Sequence, residues 1–511
     1  MKEQPQLSQN GETKKADLIL DRDFSIARVD ERLFGSFIEH LGRAVYGGIY
    51  DPGSPLSDSN GFRRDVLEMV KRLNVSVVRY PGGNFVSGFH WEDSIGPPQG
   101  RPKRLDLAWS TTEPNEFGLH EFCAWARAAG GQVMYAVNLG TRGPDAARNV
   151  VEYANHSGGS AWSDLRRQNG AAEPFGIKLW CLGNEMDGPW QIGQKTAYEY
   201  GRCANESAKV MKWVDPSIEL VACGSSAYDM PTFGAWELEM LDQCYENVDY
   251  VSLHRYYGDP GNDPQNFLAK SMDMEAFIRT VVSLCDAVGG RKRSRKKLSL
   301  SFDEWNVWYR DRGHDGNWQV GPPLIEEKYD LQDALVCAQY LNAFIRRADL
   351  VKVACLAQIV NVIAAVLTSN TGTLRQTIYY PSAMYAATAR GLSLTPVVEA
   401  PRYDAGDRQA VPVIDVSASF NESDGKTNIF VVNRSASEPA HVTVRLADRL
   451  IASSGTVQLL TGNDPKASNT WERPDNIKPQ PGTATAKGQS IALTVPALGL
   501  AVVSGIGTTK R

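Results

Sequence analysis

The 511-residue chain lacks the short signatures of several chemistries. Its eight cysteines include no CxxC pair, and its seven histidines show neither HxH nor HExxH spacing. A zinc site built from neighbouring residues is therefore excluded, and no metal is expected. No GxGxxG follows a strand-like run and no GxxxxGK[ST] occurs, which argues against dinucleotide and P-loop chemistry, so no cofactor is expected. The absence of GxSxG removes acyl transfer by a serine elbow. No run reaches the uncharged length of a membrane span, and the opening MKEQPQLSQNGETKK has no apolar signal-type core. The expectation is a soluble, cytoplasmic protein. A net charge of -5 gives no global attraction to nucleic acid or anionic lipid, and a neutral, sugar-like partner fits better. Several cysteines lie in apolar runs, as buried free thiols do. The sequons at Asn74 and Asn433 would matter only after export.

What the chain does have is alternation. Between about Leu33 and Asn361, eight short apolar runs rich in β-branched residues are separated by longer segments of helical spacing such as FRRDVLEMVKRLN (62–74). The runs are LFGSFIEH (33–40), VSVVRYPGG (75–83), VMYAVNLG (133–140), IKLWCLGNE (177–185), IELVACGSS (218–226), DYVSLHRYY (249–257), LSLSFDEWN (298–306) and VKVACLAQIVN (351–361). Strands buried on both faces read this way, so the pattern predicts an α/β fold, a (β/α)8 TIM barrel over 31–376. The strands' carboxyl ends then share one mouth, which would gather Glu39, Asn84, Asn138, Asn184, Glu185, His254, Tyr256, Glu304 and Gln358.

After residue 376 the helical segments give way to alternating runs, among them VIDVSASF (413–420), HVTVRL (441–446) and a long one, SIALTVPALGLAVVS (490–504). These predict a C-terminal antiparallel β-sandwich domain over 377–511. ADLILD (16–21) has no place in the barrel, so residues 1–30 are expected to add a strand to the sandwich. Residues 463–489, rich in Asn, Pro, Gly and Thr, read as an exposed loop. The basic run RKRSRKK (291–297) reads as a solvated turn before the seventh strand.

Two glutamates carry the chemistry. Glu185 ends the fourth run in LGNEMDGPW and Glu304 ends the seventh in SFDEWNVWY. One strand-end Glu is more often a salt-bridge partner than a catalyst. Two on one rim, from nearly opposite strands and near Trp190, Trp305 and Trp308, suit the carboxylate pair of glycoside hydrolysis. The aromatics offer apolar faces to sugar rings, and Asn, Gln and Tyr offer hydroxyl partners.

Five stretches together, FIEHLGRAVYGGIYD (37–51), VRYPGGNFVSGFHWEDSIGP (78–97), RPKRLDLAWSTTEPNEFG (101–118), GNEMDGPWQIG and SFDEWNVWY, resemble glycoside hydrolase family 51, the α-L-arabinofuranosidases. The likeness runs from about Leu33 to Pro381. It implies a retaining, exo-acting enzyme that removes terminal arabinofuranosyl groups from arabinan, arabinoxylan or their oligosaccharides, with Glu185 as general acid/base and Glu304 as nucleophile. Asn184 would bind the sugar 2-hydroxyl, Tyr256 would hold Glu304, Glu39, Asn84 and Gln358 would bind other hydroxyls, and Trp109 would line the approach. A homo-oligomer, trimer or hexamer, is also implied. Each residue has a plainer alternative: Asn84 as a turn cap, His254 as a satisfied core histidine, Trp109 as packing, Arg79 as a brace of the barrel or as a partner of the nucleophile. Arg255 stands where many family members have glutamine, and should point away from the ligand if Tyr256 points in. Competing functions are an endoglucanase or β-xylosidase on the same scaffold, and a sugar-binding protein without catalysis. Because no ligand cluster can be read along the chain, EDTA is expected to leave arabinofuranoside hydrolysis unchanged, and loss of activity restored by zinc would contradict this reading.

Overall fold

The computed structural model describes residues 14–258, 261–310 and 316–509. Each of the eight apolar runs contributes one parallel strand: Gly35–Phe37, Val77–Tyr80, Gln132–Val137, Leu179–Leu182, Glu219–Cys223, Tyr250–Tyr257, Ser299–Val307 and Val351–Leu356. They hydrogen-bond in sequence order, and the eighth closes on the first to complete a barrel. In most of them the strand is shorter than its apolar run, because the polar carboxyl end of the run turns into the mouth. The helix Arg64–Leu73 illustrates the outer layer: Val66, Leu67, Val70 and Leu73 form its buried stripe, and Asn74 ends it in the left-handed conformation at φ 56°.

The seventh strand is irregular. Ser301 pairs with Ser252 of the sixth strand, and Glu304 pairs with His254. Two residues of the seventh strand, Phe302 and Asp303, thus stand opposite one, Leu253, which is the count of a β-bulge. A bulge interrupts the in-and-out alternation of side chains.

Beyond the barrel lie two sheets. One orders Val397–Glu399, Lys14–Leu20, Ala440–Leu446, Ser490–Val495 and Ala484–Lys487. The other runs from Ser25–Arg28 through Leu392–Leu394, Ile414–Asn421, Lys426–Asn433 and Gly499–Thr509 to Thr456–Thr461 and Gln480–Gly482. Val442, Val444 and Ile491 of the first sheet pack with Val416, Ile429 and Val431 of the second. Period-two burial along Ala440–Leu446 shows why these segments settle as half-buried strands. Lys14–Leu20 joins the sandwich through a parallel pairing with Ala440–Leu446, so the sheets are not purely antiparallel.

Two segments differ from expectation. The run 490–504 is two strands in different sheets, broken at Pro496–Leu498, where Leu498 takes φ 46°. Residues 463–489 are not a purely exposed loop. Asn469 donates to the Arg375 carbonyl at 3.0 Å and accepts from the Ile477 N–H at 2.8 Å, and Ile477 is buried. The basic run ends a helix and leads to the seventh strand, with Arg291, Lys296 and Lys297 paired to Asp242, Asp249 and Asp286. All eight cysteines are unpaired. Among the described residues no helix is long and apolar enough to cross a membrane.

The helix Leu331–Arg346 is buried along almost its whole length between the barrel and the second sheet. Arg434 is fully buried at this seam. Its guanidinium donates to Gln339 Oε1 at 2.7 Å and to the Pro412 carbonyl at 3.0 Å, and lies 3.1 Å from Asp415. Its neighbour Asn433, one of the two sequon asparagines, is equally buried, with its amide donated to the Glu438 and Pro496 carbonyls at 2.9 Å, so the folded protein offers no acceptor there. Arg434→Ala leaves Asp415, Gln339 and the Pro412 carbonyl without this partner in the interior, and is expected to lower stability by about 3–5 kcal/mol in urea unfolding while sparing turnover per folded molecule.

Candidate active site

The bulge places two consecutive acids, Asp303 and Glu304, in the barrel interior around one buried cation. Arg79 lies near the end of the second strand and is fully buried. It donates to Glu304 Oε1 at 2.7 Å and to Asn184 Oδ1 at 2.6 Å, its Nε lies 3.1 Å from Asp303, and its guanidinium stacks 4.8 Å above Phe37. Burial alone would push Arg79 down, but Asp303 and Glu304 hold it well above its ordinary value. Burial would likewise raise Asp303, yet Arg79 beside it keeps that carboxyl low. Tyr256 donates to the other oxygen of Glu304 at 2.8 Å.

His254 sits between the acids. Its Nδ1 lies 2.9 Å from Glu185 Oε1 and 3.5 Å from Glu304 Oε2. Burial works against its charge, but Glu304, Asp303 and Glu185 outweigh that and push the imidazole up to about 10. It is therefore a cation throughout the neutral range, with Nδ1–H donating to Glu185.

Glu185 follows the fourth strand through a turn in which Gly183 takes φ 89° and Glu185 itself φ 44°. A left-handed glutamate is uncommon, and such backbone strain concentrates at functional sites. Its Oε2 accepts from Trp190 Nε1 at 2.6 Å. Trp190 is half exposed, whereas Oε1 faces the buried His254. The carboxylate thus has an inner and an outer oxygen.

Glu39 occupies the floor of the mouth. It accepts from the Phe85 N–H at 2.9 Å, at the start of the short helix Asn84–Gly88, and from Trp109 Nε1 at 3.0 Å, while its own N–H donates to Gln358 Oε1 at 2.9 Å. The Gly83 of PGGN is required here: a Cβ at that position would stand 2.3 Å from Glu39 Oε2. Burial raises Glu39 to about 8; the Phe85 N–H opposes this and the charge of Glu304 adds to it. Asn84 accepts from the Asn184 side-chain amide at 3.3 Å.

All eight residues singled out from the sequence lie on this mouth. Of the other candidates, Asn138 turns away, its side chain capping the loop through the N–H groups of Gly140 and Thr141. Arg255 points out of the site, as alternation requires, toward Asp273 at 3.2 Å and over Tyr257. Arg79 both braces the barrel and holds Glu304. Sequence reading missed Asp303, whose inward direction depends on the bulge, and the bond from Trp190 to Glu185. It also gave no metal-like grouping, whereas one oxygen each of Glu185 and Glu304 and the His254 nitrogen lie within 4.8 Å of one another. In this structure the three groups are joined by hydrogen bonds and ion pairs, His254 Nδ1 lying 2.9 Å from Glu185 and 3.5 Å from Glu304.

A closed (β/α)8 barrel with two facing glutamates on its fourth and seventh strands defines the class, a glycoside hydrolase. Comparison with known proteins narrows it. Residues 69–271 match the model of the α-L-arabinofuranosidase 1 domain, and residues 303–498 that of the α-L-arabinofuranosidase C-terminal domain. The intracellular exo-α-(1→5)-L-arabinofuranosidase 1 of Bacillus subtilis is 54% identical over 82% of this chain and 85% of its own. The exo-α-(1→6)-L-arabinofuranosidase of Bifidobacterium longum is 45% identical over 95% of this chain and 96% of its own. A solved family 51 α-L-arabinofuranosidase from Bifidobacterium longum superposes with a TM-score of 0.92 at 44% identity, covering 96% of this chain and 99% of that one. The chain belongs to the α-L-arabinofuranosidases of glycoside hydrolase family 51.

The raised Glu39 carboxyl has a consequence for stability. Between its ordinary value of 4.5 and about 8 the unfolded chain holds fewer protons than the folded one, so this group makes stability fall as pH rises through that window. Glu39→Gln, a neutral isostere, is expected to flatten this part of the curve: the urea midpoint of the wild type should drop from pH 5 to pH 8 by more than that of the variant.

Proposed function

We propose that the protein is a retaining, exo-acting α-L-arabinofuranosidase that releases terminal non-reducing arabinofuranosyl groups from arabinan, arabinoxylan or their oligosaccharides by double displacement. The observation that carries the mechanism is the spacing of the two acids, with carboxylate oxygens inside 4.8 Å of each other. Retaining enzymes hold their carboxyl groups about 5–5.5 Å apart, whereas inverting ones leave about 6.5–9.5 Å for a water. The names of the two relatives, both exo-acting, support the mode of action.

In the first step a Glu304 oxygen attacks the anomeric carbon while the bond to the leaving oxygen breaks, and Glu185 delivers a proton to that oxygen. Arg79 and Tyr256 fix the nucleophile, so little reorganisation is left for the moment of attack. The proton travels from Oε2 of Glu185, since Oε1 is taken by charged His254 and only the outer oxygen faces the half-exposed Trp190. Asn184, aligned by Arg79, is placed for the 2-hydroxyl, where a hydrogen bond strengthens as the oxocarbenium-like state develops. In the second step the Glu304 charge is gone into the ester. Glu185 then takes a proton from water, which attacks the same carbon and returns Glu304 as carboxylate with configuration retained. Glu39, Asn84, Gln358 and Trp109 complete the sugar site in this reading. A cytoplasmic location and a homo-oligomer, trimer or hexamer, belong to it too. The intracellular name of the Bacillus subtilis relative and the eight unpaired cysteines support the first.

Separating the two glutamates tests the proposal. Glu304→Ala is expected to abolish turnover of every substrate, whatever its leaving group. Glu185→Ala should reduce kcat/KM on arabino-oligosaccharides by about 10²–10⁴-fold but spare the first step on a dinitrophenyl arabinofuranoside, whose leaving group needs no proton. With that substrate the glycosyl-enzyme should accumulate as a burst, and azide should restore turnover and yield the azide of retained configuration. Equal loss on both substrates, with neither burst nor rescue, would remove Glu185 from the role of acid/base.

A further inference from the structure

Two loops at the barrel mouth are joined by backbone hydrogen bonds, and together they expose four large apolar side chains. The first is the hairpin Arg104–Asp106 and Thr111–Glu113, which follows the second strand and carries Leu105 and Leu107. The second, after the seventh strand, holds Gly316 to Val320 and carries Trp318 and Val320. The Trp318 N–H donates to the Ser110 carbonyl at 2.7 Å, and the Thr112 N–H donates to the Gln319 carbonyl at 3.0 Å. The Thr112 hydroxyl donates to the Trp318 carbonyl at 2.7 Å. A Cβ on Gly316 would meet the Trp109 carbonyl at 2.4 Å, so the loops touch as closely as backbones can. Leu105, Leu107, Trp318 and Val320 are all 47–66% exposed.

The conformation of Trp318 is unusual for its residue type. The Gln319 N–H closes on the Gly316 carbonyl at 2.9 Å, and the central residues Asn317 and Trp318 have φ 48° and 58°. Both central positions of this turn are left-handed, the pattern of a type I′ turn, for which Asn-Gly is the favoured pair. Here tryptophan stands where glycine is easiest, and its ring is left half in solvent instead of in the core. A strained backbone that displays a large ring has no packing return to offset it.

The position of this loop over the site follows from its neighbours. Ser110, which anchors Trp318, comes directly after Trp109, whose indole reaches Glu39 on the floor of the site. In an exo-acting enzyme the terminal sugar fills the floor, and the remaining oligosaccharide must leave over the rim. We propose that Trp318 is a leaving-group-side platform: its indole face covers the apolar C–H face of a sugar beyond the scissile bond, with the aliphatic side chains beside it excluding water. The occupant is thus the rest of the neutral arabinose-containing oligosaccharide, and the assignment rests on the functional reading above. Binding there is sequence-tolerant and uncharged, so it sets preference for chain length and not the chemistry at the anomeric carbon.

Comparison of a short and a long substrate tests this. In Trp318→Ala and Trp318→Gly, kcat/KM for an arabinotriose or longer oligosaccharide should fall about tenfold, as expected when on the order of 50 Å² of ring is no longer covered, with the change in KM and not in kcat. Turnover of 4-nitrophenyl arabinofuranoside should stay within about twofold. Trp318→Tyr should recover most of the loss. The glycine variant, which relieves the left-handed backbone, should unfold at no lower temperature than the wild type, so a selective defect cannot be ascribed to misfolding. Equal effects on both substrates, or none on either, would overturn the proposal. So would a change of sedimentation coefficient in Trp318→Ala, since the patch would then be covered by a second copy of the chain. Inactivity of the wild type on every arabinofuranoside would instead defeat the functional reading on which the platform rests.

Discussion

The site is organised around a cation that has no access to water. A buried guanidinium is tolerated only where carboxylates and other acceptors replace its hydration, and Arg79 finds them in Glu304, Asp303 and Asn184. This requirement couples three strands: the arginine comes from the second, the asparagine from just after the fourth, and the acids from the seventh. His254 from the sixth adds a second positive charge against the same acids. Glu304 is thereby held by groups that the fold needs to balance one another. Removing Arg79 would leave Asp303 and Glu304 buried without their main counter-charge, so the contacts that hold Glu304 also balance the interior.

Around this core the environment differentiates chemically identical side chains. Three glutamates share the mouth. Glu304 is held between Arg79 and Tyr256, Glu185 lies between a charged imidazole and a half-exposed indole, and Glu39 is buried deeply enough to favour its neutral form near pH 7. A neutral carboxyl can donate a hydrogen bond to a sugar hydroxyl as well as accept one, which an ionised carboxylate cannot.

Much of this was legible in the chain. The eight apolar runs located all eight barrel strands, because parallel strands buried on both faces need continuous apolar sequence, and the polar residues ending each run marked the mouth. What escaped depended on contacts distant in sequence or on breaks in periodicity. Asp303 precedes Glu304, so simple alternation would send one of the two outward; only the extra residue opposite Leu253 turns both in. The run 490–504 read as one strand because Pro496-Ala497-Leu498 is as apolar as its flanks, and only its backbone changes direction. The tail 463–489 has loop composition, yet Asn469 satisfies enough backbone groups for Ile477 to be buried. The role of Arg79 was undecidable from sequence because its partners come from elsewhere in the chain.

The bulge in the seventh strand also acts as a ratchet on inheritance. Upstream of it, inside and outside positions are counted from the start of the strand; downstream, the count is offset by one, and Glu304 through Val307 keep their places only while the extra residue remains. Loss or gain of one residue here would exchange the inner and outer faces for the rest of the strand, moving Glu304 and the core together. The loops at the mouth face no such all-or-none penalty. Changes of length are therefore far better tolerated in the rim than in the strand that holds Glu304, so a barrel of this kind can be altered at its mouth while its buried acids stay fixed.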